Sequence, residues 1–384
     1  MSDYSKDFGP FDGKIWLNCA SEGPLPRSAV RALHEAIEWK VNPSQLTHKR
    51  FAQVPRELKA AISKFINVDP DDVILGNSAT YGIHLFANGI PLRSGDEVLV
   101  MQNDFPVDIL PWLGLEEKGV KIRQIKPKGC VLQPEEVSAN FTKATRVVCL
   151  AHVHTFTGHV TDIEKIGEIC REKGILFIVN FSQSIGTMPV DLGRLPVDGM
   201  TTAGFKWLCG PYGTGFCWMT PQLREKIQYN QNFWVNVLSP RELEGTGDLV
   251  LPKATNAAKY DVFGTANFFN FCPLKASVEY LSAIGIQKIY RHNSDLVDRI
   301  ITGLDERKYV LISPKEEQKR SMLVVFSHRD KSKNELIFRK LLEEGIYLAL
   351  WKGNLRVSAH IYTTDGDIAR FLQVINSFEV NTGG

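Results

Sequence analysis

The chain has 384 residues, a net charge of +2, 43% hydrophobic and 23% charged residues, the makeup of an ordinary globular protein with room for two domains or one large domain with an appendage. No basic run interleaves with aromatics, which argues against a nucleic-acid partner, and no apolar stretch approaches the ~20 residues of a membrane span. Seven cysteines stand singly, without a CxxC pair; they read as reduced core thiols of a cytoplasmic protein, and no metal is expected. The polar N-terminus lacks the apolar core of a signal peptide.

In chain order, Lys14–Leu17 predicts a short strand, Asn18–Pro26 a turn-rich stretch, and Arg27–Val41 and Arg56–Phe65 helices by their apolar spacing. Val73–Leu75 reads as a buried strand, after which Gly76-Asn77-Ser78-Ala79-Thr80 opens a helix running through Tyr81–Ala87. Strands follow at Glu97–Met101 and Lys121–Ile125, with the stretch Asn103–Trp112 between them. Next come a strand at Thr145–Ala151, a helix at Asp162–Lys173, and strands at Ile175–Val179, Gly199–Ala203 and Phe216–Met219. Apolar strands alternating with helices predict an α/β fold whose mostly parallel sheet is covered on both faces. Ala276–Leu281 and Ile286–Leu304 read as helices. The tail reads strand (Met322–Phe326), helix (Asn334–Glu344), two strands (Ile346–Ala349, Asn354–Ser358) and helix (Asp367–Ser377). That pattern suggests a larger domain over 14–283 and a smaller C-terminal α/β domain over 284–384, with 1–13 packing on the latter.

The chemistry centres on Thr201–Phe216, where a small, apolar run reaches the single lysine Lys206, then Trp207-Leu208 and a loop with three glycines and a proline. An ammonium among apolar residues has a depressed pKa and can serve as a Schiff-base nucleophile; the alternative is a hairpin lysine that snorkels to solvent. The loop is no dinucleotide fingerprint, because no helical pattern follows it. Ser78-Ala79-Thr80, at a strand-to-helix junction, can cradle a phosphate or simply cap the helix. Asn180 and Gln183 lie at the carboxyl end of a buried strand, the edge where open α/β sheets gather ligands; the alternative is a hydrogen-bonded turn. Asp104-Phe105-Pro106 offers an aromatic ring held by a proline turn, or simply a core phenylalanine.

Together and in this order, these residues resemble the class V aminotransferase group of pyridoxal-phosphate enzymes (fold type I), which includes cysteine desulfurases, kynureninases and isopenicillin N epimerases. The resemblance runs from about Leu17 to about Ile375 and is most specific around Lys206 and from Arg356-Val357-Ser358 to Tyr362. It implies pyridoxal 5'-phosphate as cofactor, with Lys206 as the Schiff-base lysine. By the same resemblance Ala79 and Thr80 match the phosphate-binding helix start, with Ser78 beside them, and Phe105 matches the ring-stacking aromatic. Gln183 matches the partner of the cofactor's phenolic oxygen, and Thr155 falls near the same atom. Gly264-Thr265 resembles the pair that reaches the phosphate from a neighbouring subunit, which implies a homodimer with shared active sites. Arg356 matches the arginine that holds a substrate carboxylate, a bidentate task suited to a guanidinium. Asn18–Gly23, Asn18 first, resembles the stretch lining the substrate side, and His152 lies in the strand end beneath the cofactor, where a histidine is more often a packed, hydrogen-bonded residue than a base.

The departures from the pattern bear on the reaction. Asn180 stands where the group has an aspartate, so it can hydrogen-bond the pyridine nitrogen but brings no charge to keep it protonated. That works against transamination more than against elimination of a good leaving group. The stretch Gly345–Arg356 holds no cysteine, unlike the persulfide-carrying loop of desulfurases. Ala203 and Phe205 replace serine and histidine beside the lysine, leaving Tyr212 or Asn77 to supply phosphate contacts. The expectation is a β-eliminating lyase of the C–S type acting on an amino acid. Class V transamination and epimerisation are alternatives, as is a catalytically silent regulator that only binds the cofactor.

Overall fold

The computed structural model describes residues 3–378, apart from 239–241, 243, 246, 252–255, 265 and 266. Its strands in chain order are β1 (Ile15–Trp16), β2 (Val73–Gly76), β3 (Glu97–Met101), β4 (Lys121–Ile125), β5 (Thr145–Ala151), β6 (Leu176–Asn180), β7 (Gly199–Ala203), β8 (Gly215–Met219), β9 (Tyr309–Leu311), β10 (Val324–His328), β11 (Ile346–Tyr347), β12 (Ala349–Trp351) and β13 (Asn354–Val357). Seven of them form one sheet in the order β2-β8-β7-β6-β5-β3-β4. Pairings from β4 through β7 are parallel, and β8 runs antiparallel between β7 and β2.

The strands are apolar throughout because both faces are covered. Successive residues alternate between two layers. Ile74, Val98, Val147, Ile178 and Cys217 pack with Ile83 and Phe86 of the helix Ala79–Gly89. Leu75, Leu99, Val148, Phe177 and Trp218 face the opposite layer, which includes Ile166 of helix Ile163–Glu172 and Leu274 of helix Phe268–Ile284. The mostly parallel sheet covered by helices is thus as the sequence predicts.

A second sheet, antiparallel in the order β12-β13-β10-β9, lies in the C-terminal part of the chain, where the helices Asn334–Glu343 and Asp365–Ser377 also fall. The first strand, which the sequence reading groups with residues 14–283, pairs in parallel with β11 instead (Ile15 with Ile346), and Asn18 bridges Ser358. This crossing brings the N-terminal stretch beside the C-terminal sheet. Two helices run further than their periodicity suggests. His48–Ile66 contains Pro55 and Phe268–Ile284 contains Pro273; each proline costs one backbone hydrogen bond, which the flanking buried face offsets. Among the described residues no helix is long and apolar enough to cross a membrane.

Candidate active site

The carboxyl ends of β5, β6 and β7 open onto a cavity of about 250 Å³, at the edge where α/β sheets bind ligands. Ser78, Ala79, Thr80 and Phe105 line it, as do Thr155, Asn180, Gln183, Lys206 and Arg356. Residues spread over nearly 280 positions of sequence therefore meet in one place.

Lys206 follows β7. Burial pulls its amine down to about 8, the Arg356 charge adds to the effect, and Asp108 opposes it. Its Nζ lies 5.4 Å from the centre of the Phe105 ring. That ring is held by Asp104, a buried carboxylate whose two oxygens accept the N–H groups of Phe105 (2.8 Å) and Ala151 (3.1 Å). One acidic side chain thereby ties the loop carrying Phe105 to the end of β5.

The start of the helix Ala79–Gly89 forms another wall. Ser78 caps it by accepting the Tyr81 N–H at 3.2 Å, so the simple capping role is realised. The N–H groups of Ala79 and Thr80 belong to the first turn, where donors have no partner inside the helix and the dipole favours an anion. Gly215 makes this packing possible, since a Cβ there would come within 2.9 Å of the Ser78 backbone.

Gln183 and Asn180 are both oriented by neighbours. The Trp207 indole N–H donates to Gln183 Oε1 at 2.8 Å, which turns the amide NH2 towards Ala20, whose carbonyl accepts one hydrogen at 3.1 Å; the second remains for a ligand. Asn180 Oδ1 accepts the Ser182 N–H at 2.9 Å, and Nδ2 donates to both oxygens of Asp108 at 2.9 and 3.2 Å.

Arg356, on β13, is 1% exposed. It donates to the Thr155 carbonyl (3.3 Å) and the Ser21 hydroxyl (2.8 Å), while its Nε is buried without a partner. Burial lowers its pKa to about 10. A buried guanidinium that lines a cavity with an unfilled N–H is suited to an anionic ligand.

Other expected residues lie elsewhere. Asn18 does not line the cavity. Its carbonyl accepts the Ser21 and Glu22 N–H groups, and the turn so formed carries Ala20 and Ser21 to the cavity instead. Gly264 is exposed on the segment anchored by Val262 N–H to the Leu75 carbonyl (2.8 Å), outside the cavity lining, and Thr265 lies outside the described residues. Tyr212 and Asn77 are also absent from the lining. His152 points away. Ala151 and Val153 face the cavity, whereas the alternation of the strand end turns His152 to the other side, onto Ser184 at 2.9 Å and the Phe181 ring. Burial holds its pKa at about 4.

The aminotransferase class-V family model matches residues 15–371. The chain belongs to the class-V aminotransferase family. A probable cysteine desulfurase of Methanothermobacter thermautotrophicus is 30% identical over 303 residues, covering 78% of this chain and 74% of the relative. Among solved structures, a lysine-to-alanine mutant of C-DES with glycine covalently linked to its PLP cofactor superposes with a TM-score of 0.89 at 21% identity, covering 98% of this chain and all of that one. The cystine C-S lyase C-DES in complex with its product, cysteine persulfide, gives a TM-score of 0.87 at 22% identity, covering 96% and 98%. Class-V aminotransferases use pyridoxal 5'-phosphate.

The residues of this class-V chain fit that cofactor. A lysine with a lowered pKa suits its aldehyde, the Ala79–Thr80 helix start its phosphate, the Phe105 ring its face, and the free hydrogen of Gln183 its phenolic oxygen.

Sequence reasoning missed Asp108 and gave no role of their own to Ser21, within the Asn18–Gly23 stretch, or to Asp104, beside Phe105; all three act through contacts across the fold. It also missed a buried group of Cys19, Cys209 and His360, whose ligating atoms lie within 4.8 Å of one another. His360 accepts from Asn293 at 3.0 Å and donates to the Trp207 carbonyl at 3.0 Å. Both its nitrogens are engaged, and the group braces the backbone behind Lys206.

Proposed function

We propose that the protein is a pyridoxal-phosphate-dependent lyase that cleaves a C–S or related bond at the β-carbon of an amino acid. The observation that carries this reading is the pairing, in one cavity, of a reactive lysine with a buried guanidinium that lacks an acidic partner among the described residues. When bound, the cofactor supplies an electron sink that loosens the bonds of the substrate's α-carbon. Arg356, whose guanidinium lines the cavity, would receive the substrate carboxylate and fix the α-carbon near Lys206. Lys206 would hold the cofactor, and its amine, with a pKa lowered to about 8, would take the α-proton on Nζ in the neutral form that burial makes accessible near physiological pH. Phe105, Val107, Val153 and Trp351 give the cavity an apolar wall that excludes water.

Elimination is favoured over persulfide relay because 345–356 carries no cysteine; Trp351 stands there at the cavity edge. The names of the relatives, a probable cysteine desulfurase and a cystine C-S lyase, point to sulfur-bearing amino acids as substrates. We further propose a cytoplasmic homodimer, in which Gly264 and Thr265 of one copy reach the phosphate of the other; Phe263, 67% exposed beside them, supports a covered surface there. The larger unit spans roughly 14–283 and the smaller one 284–384, apart from β1.

Incubating the cofactor-loaded protein with a panel of amino acids, cystine and cysteine included, tests the reaction. Pyruvate and sulfur release from the sulfur-bearing members is expected. Amino-donor exchange or inversion without pyruvate would replace this reading with transamination or epimerisation, and a spectral response without any product would identify a silent binder.

A further inference from the structure

The stretch Asn103–Trp112 carries two carboxylates, and the cavity uses them differently. Asp104 is satisfied by two backbone N–H groups. Asp108 is fully buried, on the 3₁₀ turn Pro106–Asp108, and its hydrogen bonds come from the Asn180 side chain, 72 positions away, at 2.9 and 3.2 Å. The arrangement has a fixed polarity. The Ser182 N–H can only donate, so it holds Asn180 Oδ1 and obliges Nδ2 to face Asp108. Asn180 therefore stands between the cavity and a buried carboxylate, touching both.

The chemistry of the cofactor says which of its atoms meets this pair. Its aldehyde carbon is directed to Lys206 and its ring nitrogen lies para to that carbon, so the nitrogen points away from Lys206. Of the polar side chains around the ring, Gln183 is oriented towards Ala20 by Trp207, while Asn180 closes the end of β6.

We propose that Asp108 is the counter-charge for the cofactor's ring nitrogen, acting through the Asn180 amide, so that a carboxylate and an amide in series do what one carboxylate at position 180 would do. This rests on the pyridoxal-phosphate reading above and changes what Asn180 implies: the ring is held protonated, because a nearby negative charge favours the charged form. Asp108 is a positioning residue, since Asn180 separates it from the cavity. The groups facing it are Asp104 on its own loop, Asn180 on β6 and Lys206 after β7, with Cys149 of β5 close enough to feel its charge. Burial, reinforced by Asp104, pushes the Asp108 carboxyl well above the ordinary range, against the opposing pull of the Asn180 amide and the Lys206 cation. Binding then transfers one proton from the Asp108 carboxyl to the ring nitrogen, by way of solvent or the amide, leaving a carboxylate and a pyridinium with no net gain or loss of protons.

The test uses the full chain loaded with cofactor labelled with nitrogen-15 in the ring and reads the nitrogen chemical shift at neutral pH. The wild type is expected at the pyridinium position, Asp108→Asn at the neutral-pyridine position, and the exchanged pair Asp108→Asn with Asn180→Asp back at the pyridinium position. Should Asp108→Asn fail to fold, Asp108→Ser removes the charge while keeping an acceptor for Asn180. A neutral ring in the wild type, or a pyridinium shift that survives loss of the Asp108 charge, overturns the proposal. A chain that takes up no cofactor, seen as no Schiff-base absorption, overturns the functional reading instead.

Discussion

Gly23 lies against the main-chain carbonyl of Lys206 so closely that a Cβ there would stand 1.9 Å from the oxygen. Its own N–H donates to the Phe205 carbonyl at 2.8 Å. The N-terminal stretch is thus a backbone splint for the reactive lysine, joined to β13 at its other side through Ser21 and Arg356. A carbonyl in this position cannot rotate aside as a side chain would. Gly23→Ala is expected to cost about 1–3 kcal/mol, the usual range for overpacking, and to lower cofactor occupancy at a fixed cofactor concentration. Urea unfolding and absorbance of the purified protein measure the two. A variant as stable and as fully loaded as the wild type would show that the splint gives way freely.

The pKa of Lys206 makes its reactivity a matter of pH. Burial is the main cause of its fall to about 8, and Arg356 the second. The rate at which cofactor-free protein forms the Schiff base should therefore climb through about pH 8 and level off above it. Arg356→Gln should move the inflection upward by removing a repelling charge. Stopped-flow absorbance across a pH series reads the shift. Identical inflections in the two proteins would mean that the Arg356 charge does not reach the amine.

Arg356→Lys keeps a cation but loses the planar fork. Loss of a charge-assisted hydrogen bond is worth roughly 1.5–3 kcal/mol, about one to two decades in apparent affinity for the amino acid. The cofactor should stay bound, because Arg356 is not among the residues assigned to hold it. Titrating loaded protein with substrate while following the cofactor spectrum separates the two, and unchanged substrate affinity would locate the carboxylate elsewhere.

The readable parts of this molecule are those governed by local pattern. The apolar runs of β2, β3, β5 and β6 announce a sheet buried on both faces, and Lys206 stands out as the single lysine of the small, apolar run that starts at Thr201. Asp108 gives no such signal. It sits in the irregular stretch Asn103–Trp112, without period or motif, and matters only because folding brings it to Asn180. Ser21 and Asn18 make the same point within one turn: both are polar, and only the turn geometry decides that Ser21 meets Arg356. The pairing of β1 with β11 joins opposite ends of the chain, a contact that two-residue strands cannot declare in sequence. His152, for which sequence favours a packed and hydrogen-bonded role over a base, takes that role because alternation at the strand end turns it from the cavity onto Ser184.

Asp108 also carries a cost that can be measured without any cofactor. Its folded carboxyl lies well above the ordinary value because of burial and of Asp104, whereas in the unfolded chain it titrates near about 3.9. Between those two values the folded state holds a proton that the unfolded state has released, so stability falls as pH rises through the window. Asp108→Asn removes this dependence while its side-chain oxygen still accepts from Asn180. Lys206 acts oppositely but only above about pH 8, where its folded form has given up a proton that the unfolded lysine retains. Urea unfolding of cofactor-free protein from pH 4 to pH 7.5 should therefore find the variant increasingly more stable than the wild type towards neutral pH. Each tenfold change in the carboxyl's acidity contributes about 1.4 kcal/mol. With cofactor bound the order should reverse, since the variant then lacks the charge that faces the ring. Parallel pH curves for the two cofactor-free proteins would mean that Asp108 titrates normally in the fold, and that solvent rather than the Asn180 amide satisfies its charge.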